Sequence, residues 1–465
     1  MASYNGPQSQ LKSPGFRLQS LSRRKVEPYF PIIFLIVISY HLLRHLIIIG
    51  AATGQPTPTI SDKVLAVVLV PFAFQALLNF KRLTILLAVT FGGYGLISVA
   101  GALAHPNLGI PQPLGAIYDL VREATFPVFF LAFLYFWSKD RDPLKTLQLI
   151  AWFYVLFAVG NAPFILKDLI GGGSGIFGQE LGTRLGFVTP QGLFQHKVES
   201  SWAFSLGAAC AVYLYSLRPT FLRMVLILVL SIFVFIHLSA KECAAFLVAG
   251  IAYQFRGASS ASAGVLARRV VPAVVVVCMV LLSPISNIFL VQYNDYVAQD
   301  GLVRTELTKV GFEVADRFFP LGSGGGTFAS PASFQLGYSQ LYVDYGISTL
   351  WSATPDNPAF LLDVFWPKII AQGGWLGFVL FLCSLWTVFS RSFVLFYLDK
   401  SAAGWLCFSI SVSSLIFSTA IPSYTSEFLE IPCALFAAYA FNVCEHAIAL
   451  HHERTQMACK FKPKL

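Results

Sequence analysis

Long apolar stretches separated by short polar ones run along most of the chain. A helix needs about 20 apolar residues to cross a bilayer, because each residue adds about 1.5 Å of length. By that measure we predict an all-α polytopic membrane protein with about twelve spanning helices. The predicted spans are 29–50, 62–79, 83–104, 115–137, 147–166, 199–217, 223–239, 242–255, 270–292, 364–389, 402–420 and 428–448.

Basic residues predict the orientation of these spans. With the N-terminus inside, every predicted inner segment carries Lys or Arg, as cytoplasmic loops usually do. Lys and Arg are absent from three short outer loops, 51–61, 105–114 and 421–427. We therefore predict that both termini are cytoplasmic. The predicted parts are a basic N-terminus (1–28), helices 1–9 (29–292), a large periplasmic loop (293–362), helices 10–12 (363–448) and a basic tail (449–465).

The periplasmic loop is where we expect the chemistry, because a loop of this length is uncommon without a function. Its first part, 301–319, has apolar residues at helical spacing and charged residues between them, which predicts an amphipathic helix. The apolar positions are Leu302, Leu307, Val310, Val314 and Phe318, and the charged ones are Arg304, Lys309, Glu313 and Arg317.

Composition narrows the class of protein. The 465 residues are 56% hydrophobic and only 12% charged, with a mean hydropathy of +0.68. A water-soluble enzyme, a disordered protein or a nucleic-acid-binding module would carry many more charges. The net charge of +9 is explained by the topology signals in the inner loops. The eight cysteines and eight histidines lack metal-ligand spacing, so we predict no metal site. No cofactor is predicted either.

Two groups of residues could bind an anion. The glycine run at 320–328, which contains Gly324, could form a nest of backbone N–H groups or be a flexible turn. Arg304, Lys309, Arg317, Lys197 and Lys241 lie on the predicted outer side, where they suit a lipid-linked phosphate or are ordinary solvated charges. Lys241 could also form a salt bridge with the adjacent glutamate.

Two further charged positions lie at predicted span ends. Arg122 lies between Asp119 and Glu123, so it could pair with them on one helix face or line a pocket. Asp363 precedes the tenth span, where a carboxylate could deprotonate a sugar hydroxyl or cap the helix N-terminus.

Four segments together resemble the O-antigen polymerase/ligase superfamily (Wzy/WaaL type), and more closely its exopolysaccharide polymerases. They are Arg304-Thr-Glu-Leu-Thr-Lys309, the 319–328 glycine run, Tyr338-Ser-Gln-Leu-Tyr-Val-Asp-Tyr-Gly346, and 363–377 with its closely spaced glycines. Ligases of the superfamily typically carry a histidine where this chain has Asp363. That departure favours a polymerase over a ligase.

The resemblance implies metal-independent glycosyl transfer at the outer face of a bacterial inner membrane. The donor would be a polyprenyl-diphosphate-linked glycan and the acceptor a lipid-linked repeat unit, with a flippase and a chain-length regulator as partners. Arg304 would clamp the diphosphate and Asp363 would contact the acceptor hydroxyl. Other ligands would be Lys241, Lys197, Arg317, Arg122 and Gly324, with Tyr338, Tyr342 and Tyr345 either stacking on sugar rings or packing within the protein. The alternatives are an O-antigen-type ligase, a transporter of about twelve spans and a purely structural membrane subunit.

Overall fold

A computed structural model gives the architecture of most of the chain. The residues it describes are Phe34, Val37, Ser39, 60–172, 175, 181–184, 187–194, 197–237, 239–255, 302–398, 401–419, 424 and 427–460. The predicted span 270–292, and all but three residues of the predicted span 29–50, lie outside the described residues. The remaining ten predicted spans all coincide with helices.

Helices dominate the described residues. In chain order they are α1 (Ile60–Asn79), α2 (Lys81–Leu87), α3 (Gly93–Ala104), α4 (Leu114–Glu123), α5 (Thr125–Lys139), α6 (Pro143–Ile170), α7 (Lys197–Leu217), α8 (Phe221–Ile236), α9 (Ala240–Phe255), α10 (Val303–Arg317), α11 (Ala332–Gln335), α12 (Gln340–Asp344), α13 (Trp366–Leu398), α14 (Ala402–Ser418) and α15 (Glu427–Lys460). A π-helical turn (Ala88–Gly92) joins α2 to α3, and 3-10 turns lie at Ile347–Thr349 and Ala359–Leu362. Strands β1 (Thr183–Arg184) and β2 (Phe187–Val188) pair antiparallel.

The helices have the length and surface of an all-α membrane protein. Five segments are long and apolar enough to cross a bilayer: Lys81–Ala104, Leu114–Lys139, Pro143–Ile170, Trp366–Leu398 and Phe428–Ala449. Large apolar side chains also lie on the outside of the bundle, such as Val67, Leu96 and Trp386, each more than 60% exposed. An apolar surface of this kind suits lipid rather than water. The count of twelve spans and the orientation of the termini stay predictions.

Three helices do not end where the predicted spans end. Helix α8 ends at Ile236 and not at 239, because His237 already leaves the helix as its cap. Helix α13 continues to Leu398, nine residues beyond the predicted span, and carries Arg391 in this extension. Helix α15 continues to Lys460 through most of the predicted tail. The length of an apolar run indicates only the part of a helix that suits lipid. Polar residues of good helix propensity extend the helix beyond that part.

The centre of the bundle is α5, which is buried on nearly all sides. Its rings Phe129, Phe130, Phe133 and Phe136 are completely inaccessible to solvent. Helices α1 and α15 pack against it, α6 packs on α7, and α13 packs on both α3 and α14. A helix that is apolar all round has to be enclosed by others in this way.

Residues 302–365, which we call the loop segment, have a hydrophobic core of their own. Helix α10 confirms the predicted amphipathic helix, because Leu307, Val310 and Val314 are buried against Phe328 and Tyr342. Burial of this apolar face stabilises the segment at about 25 cal/mol per Å² removed from water. The predicted long loop is therefore a packed structure in its described part.

The loop segment also contacts a second predicted outer loop, at 105–114. The backbone N–H of Gln340 donates to the carbonyl of Leu108 at 3.0 Å, and the Tyr118 hydroxyl donates to Gln335 at 3.2 Å. Two loops that pack together must lie on the same side of a membrane. The contact agrees with the predicted alternation of spans, while the side itself stays a prediction.

A glycine loop, residues 322–326, fixes the loop segment to the bundle. It is buried in a crevice between α3, α4 and α13, and each of its five backbone N–H groups donates to an atom of the protein. The acceptors are the carbonyls of Phe318, Ala371, Gln372 and Ser98 and the Asp119 carboxylate, at 2.9–3.1 Å. The predicted anion-binding nest, with Gly324 as a substrate ligand, is therefore wrong, because these donors are used inside the protein.

Two glycines make this close approach of backbones possible. Gly324 has a φ of +91°, and a Cβ there would lie 2.0 Å from the backbone nitrogen of Ala102. Gly374 interrupts the regular dihedrals of α13 with a φ of +59°, and its Cβ would lie 2.4 Å from the carbonyl oxygen of Pro320. Only glycine combines a positive φ with so close an approach to another backbone, because any other residue would place its Cβ in the clash. The closely spaced glycines of the sequence therefore serve packing.

We expect Gly324→Ala to destabilise the protein by about 3 kcal/mol or more, since it combines backbone strain with a clash against backbone atoms. The measurement is thermal unfolding of the purified protein, together with its level in membranes. Gly160→Ala on α6 is the control, because a Cβ there meets nothing within 4 Å and alanine favours a helix. Equal stability of the two variants would contradict the close approach.

Candidate functional site

The two residues predicted to be catalytic, Arg304 and Asp363, lie in direct contact. The Arg304 Nε donates to Asp363 Oδ2 at 3.0 Å, and Nη2 donates to the same oxygen. Their side chains are 34% and 27% exposed, and the guanidinium lies 5.8 Å from the centre of the Phe360 ring. A cation and a carboxylate are thus held together at a surface that a ligand can reach.

The fold brings these residues together across 59 positions of sequence. Arg304 is in the first turn of α10, and Asp363 lies between the 3-10 turn Ala359–Leu362 and the start of α13. Helix α10 packs closely on α13, because Gly311 has no side chain where a Cβ would lie 2.9 Å from Pro367. Among the described residues the partner of the Asp363 carboxylate is Arg304 and not a backbone N–H of α13, so the alternative of a helix cap is wrong.

Arg317 does not share a ligand with Arg304. It lies thirteen residues further along α10, which corresponds to about 20 Å at the helical rise. There it pairs with Asp344 at 3.7 Å and lies over the rings of Phe318 and Tyr345. A single diphosphate cannot reach both arginines. Arg317 and Tyr345 instead form a separate, partly exposed surface on the loop segment.

Two of the predicted sugar-stacking tyrosines serve the core of the loop segment. Tyr342 is fully buried, with its hydroxyl accepting from the Ala329 N–H at 2.7 Å and bonded to the Ser333 hydroxyl at 2.6 Å. Tyr338 is partly buried, and its hydroxyl donates to the Ala353 carbonyl. Burial raises the pKa of both phenols, that of Tyr338 to about 12. Stacking of a sugar on Tyr342 is therefore wrong, because no face of its ring is accessible.

The other predicted ligands are placed on different helices. Lys241 is in the first turn of α9, with its ammonium 5.9 Å from the centre of the Phe417 ring, and Lys197 begins α7. Arg122 is partly buried near the end of α4, and its carbonyl accepts from Thr125. Their roles as substrate ligands stay predictions.

A buried ionic cluster of Asp119, Glu123 and Lys368 is the main feature that the sequence did not predict. The Lys368 ammonium lies 2.8 Å from Glu123 Oε1 and 3.4 Å from Asp119 Oδ2. Pairing of the two carboxylates with Arg122 on their own helix, one of the two alternatives, is wrong, because both acids contact Lys368 of α13. The sequence signal for this cluster is a lysine within an apolar run, as at Lys368, because a charged residue in such a run seldom lacks a partner.

A second buried polar chain links α6, α7 and α8. The His237 Nδ1 lies 2.7 Å from the Phe233 carbonyl, so that nitrogen donates and Nε2 accepts from the Ser200 hydroxyl at 3.0 Å. The Asn161 amide donates to Ser200 at 3.0 Å and accepts from the Leu193 N–H at 2.8 Å. Each member is satisfied by another, which is typical of a structural network.

No protein-family model matches the chain, and no curated protein is significantly similar to it.

We expect Tyr342→Phe to lower the free energy of unfolding by about 1–3 kcal/mol, because the Ala329 N–H and Ser333 hydroxyl lose a buried partner. Tyr345→Phe is the control, since that ring is partly exposed on the same short stretch. Chemical or thermal unfolding of both variants measures the difference. A larger effect at Tyr345 would contradict the roles assigned here.

Proposed function

We propose that this protein is a polysaccharide polymerase. It joins polyprenyl-diphosphate-linked repeat units at the outer face of a bacterial inner membrane, with both termini in the cytoplasm. The Arg304–Asp363 pair carries the proposal, because it combines the two groups that glycosyl transfer needs in one accessible place. The resemblance of residues 304–377 to exopolysaccharide polymerases supports it.

The chemistry follows from the two side chains. The acceptor hydroxyl oxygen attacks the anomeric carbon of the donor, the bond from that carbon to the diphosphate breaks, and the hydroxyl proton passes to Asp363. Both contacts from Arg304 fall on Oδ2, so Oδ1 is the oxygen that takes the proton. The guanidinium neutralises the departing diphosphate through charge-assisted hydrogen bonds.

The site lies where a lipid-linked substrate would present its head group. Asp363 immediately precedes α13, which is a candidate membrane span, and Arg304 is held against the same end of that helix. A polyprenyl tail in the bilayer would place its diphosphate near such a helix end. A flippase that delivers repeat units and a regulator of chain length are the partners that this function requires.

We expect Arg304→Ala and Asp363→Ala each to reduce polymer at least tenfold in a strain that lacks the native protein, with lipid-linked single repeats accumulating. Arg304→Lys should recover little activity, because lysine lacks the planar fork of donors. Polymer length is read on gels, and membrane levels are checked by immunoblot. Glu313→Ala is the control, since it removes an exposed charge from the same helix.

Three other results would contradict the proposal. Long polymer that forms without the protein but stays unattached to its final acceptor indicates a ligase. If deletion of the protein and both alanine variants leave the glycan unchanged, the protein has another function. Transport is then the first alternative, because of the charged residues buried at α4 and α13. Normal polymer from both alanine variants would exclude the pair from the site.

A further inference from the structure

The buried ionic cluster is the densest group of charges in the described part of the bundle. Asp119, Glu123 and Lys368 are each no more than 4% exposed. The two carboxylates lie one helical turn apart on α4, and the ammonium reaches them from the first turn of α13. The half-buried Arg122 lies between the two acids in sequence and adds a second positive charge nearby.

Stability alone does not account for a cluster of this kind. Removing charges from water is costly, and an apolar replacement of similar volume is often as stable or more so. In some proteins buried paired charges instead specify one geometry, because each has to meet its partner. The cluster therefore suits a part of the structure where two helices, here α4 and α13, must keep one relative position.

One carboxylate oxygen connects three parts of the protein. Asp119 Oδ2 is close to the Lys368 ammonium, accepts from the Gln372 amide at 2.9 Å, and accepts from the Gly326 N–H at 3.1 Å. The same Gln372 nitrogen donates to the Phe328 carbonyl at 2.7 Å. Helix α4, helix α13 and the glycine loop thus meet at a single acceptor.

The first turn of α13 also determines where the Arg304–Asp363 pair forms. Lys368 follows Asp363 by five residues, so rotation of that turn would move the Asp363 carboxylate. Helix α10, which carries Arg304, packs on Pro367 in the same turn through Gly311. Both members of the pair are therefore placed by a turn that Asp119 and Glu123 hold.

We propose that Lys368, held by Asp119 and Glu123, is a positioning residue for the Arg304–Asp363 pair. Lys368 is buried and touches no substrate; it acts by fixing the start of α13 and, through it, α10. The effect on catalysis rests on the proposed function, whereas the effect on the geometry of the pair does not.

The test compares variants of the full-length protein in nanodiscs. Lys368→Met removes the cation, and the triple variant Asp119→Asn/Glu123→Gln/Lys368→Met removes all three charges while keeping similar volumes. Arg391→Met is the matched control, because it removes a cation from the same helix about 35 Å away. Hydrogen exchange of residues 303–317 and 359–366 reports the order of the pair, and thermal unfolding and polymer yield are measured alongside.

We expect Lys368→Met to lower the unfolding temperature and to speed exchange at 359–366 about tenfold, since that segment opens locally. The triple variant should regain most of its thermal stability but keep the fast exchange, with polymer below about a tenth of wild type. Arg391→Met should exchange like wild type. If Lys368→Met does not insert, Glu123→Gln retains the Lys368–Asp119 pair and should show about threefold faster exchange at 359–366.

Slow exchange and full polymer in the triple variant would overturn the proposal, because charge balance alone would then be sufficient. Wild-type exchange at 359–366 in Lys368→Met, or in Glu123→Gln where that variant replaces it, would overturn it as well. If Lys368→Met exchanges fast but deletion of the protein leaves the glycan unchanged, the positioning role is supported and the proposed function is contradicted.

Discussion

A charged side chain inside a membrane protein has to be paired, and here that requirement is met between α4 and α13. Lys368 has both Asp119 and Glu123 as partners, and all three are excluded from solvent. An ion pair in surroundings of low dielectric is strongly attractive, and each member is costly to bury alone. The relative position of the two helices is consequently restricted, and the neighbouring parts of the structure adapt to it.

The glycine loop is the first of these parts. Its N–H groups are buried in the crevice, and they donate to carbonyls of the surrounding segments and to one oxygen of Asp119. The side-chain-free backbone at Gly324 allows this approach. Hydrogen bonds from its backbone therefore attach the loop segment to the bundle. The apolar core of the loop segment in turn stabilises α10.

The accessible ion pair at the start of α13 contrasts with the buried cluster next to it. Arg304 and Asp363 are each about one-third exposed, so solvent screens their attraction and the pair contributes little to stability. The same exposure leaves both groups accessible to a ligand, as the proposed function requires. Lys368, which organises the fold, and Asp363, which is available for chemistry, are thus only five residues apart.

The sequence by itself determined the class of fold, the approximate positions of the long described helices and the amphipathic face of α10. These features depend on local periodicity and on the length of apolar runs, which can be counted along the chain. It also singled out Arg304 and Asp363, through a resemblance carried by short segments. Local patterns were sufficient because each of these features is decided by residues close in sequence.

The tertiary structure alone decided which polar groups meet. Gln372 and Asp119 are 253 residues apart, and the sequence suggested Arg122 as the partner of the acids because it is adjacent. The glycine run and Tyr342 looked available for a ligand, yet the helices around them use their donors and cover their surfaces. Pairing, accessibility and close backbone approach depend on distances in space, and those are fixed only when distant segments pack together.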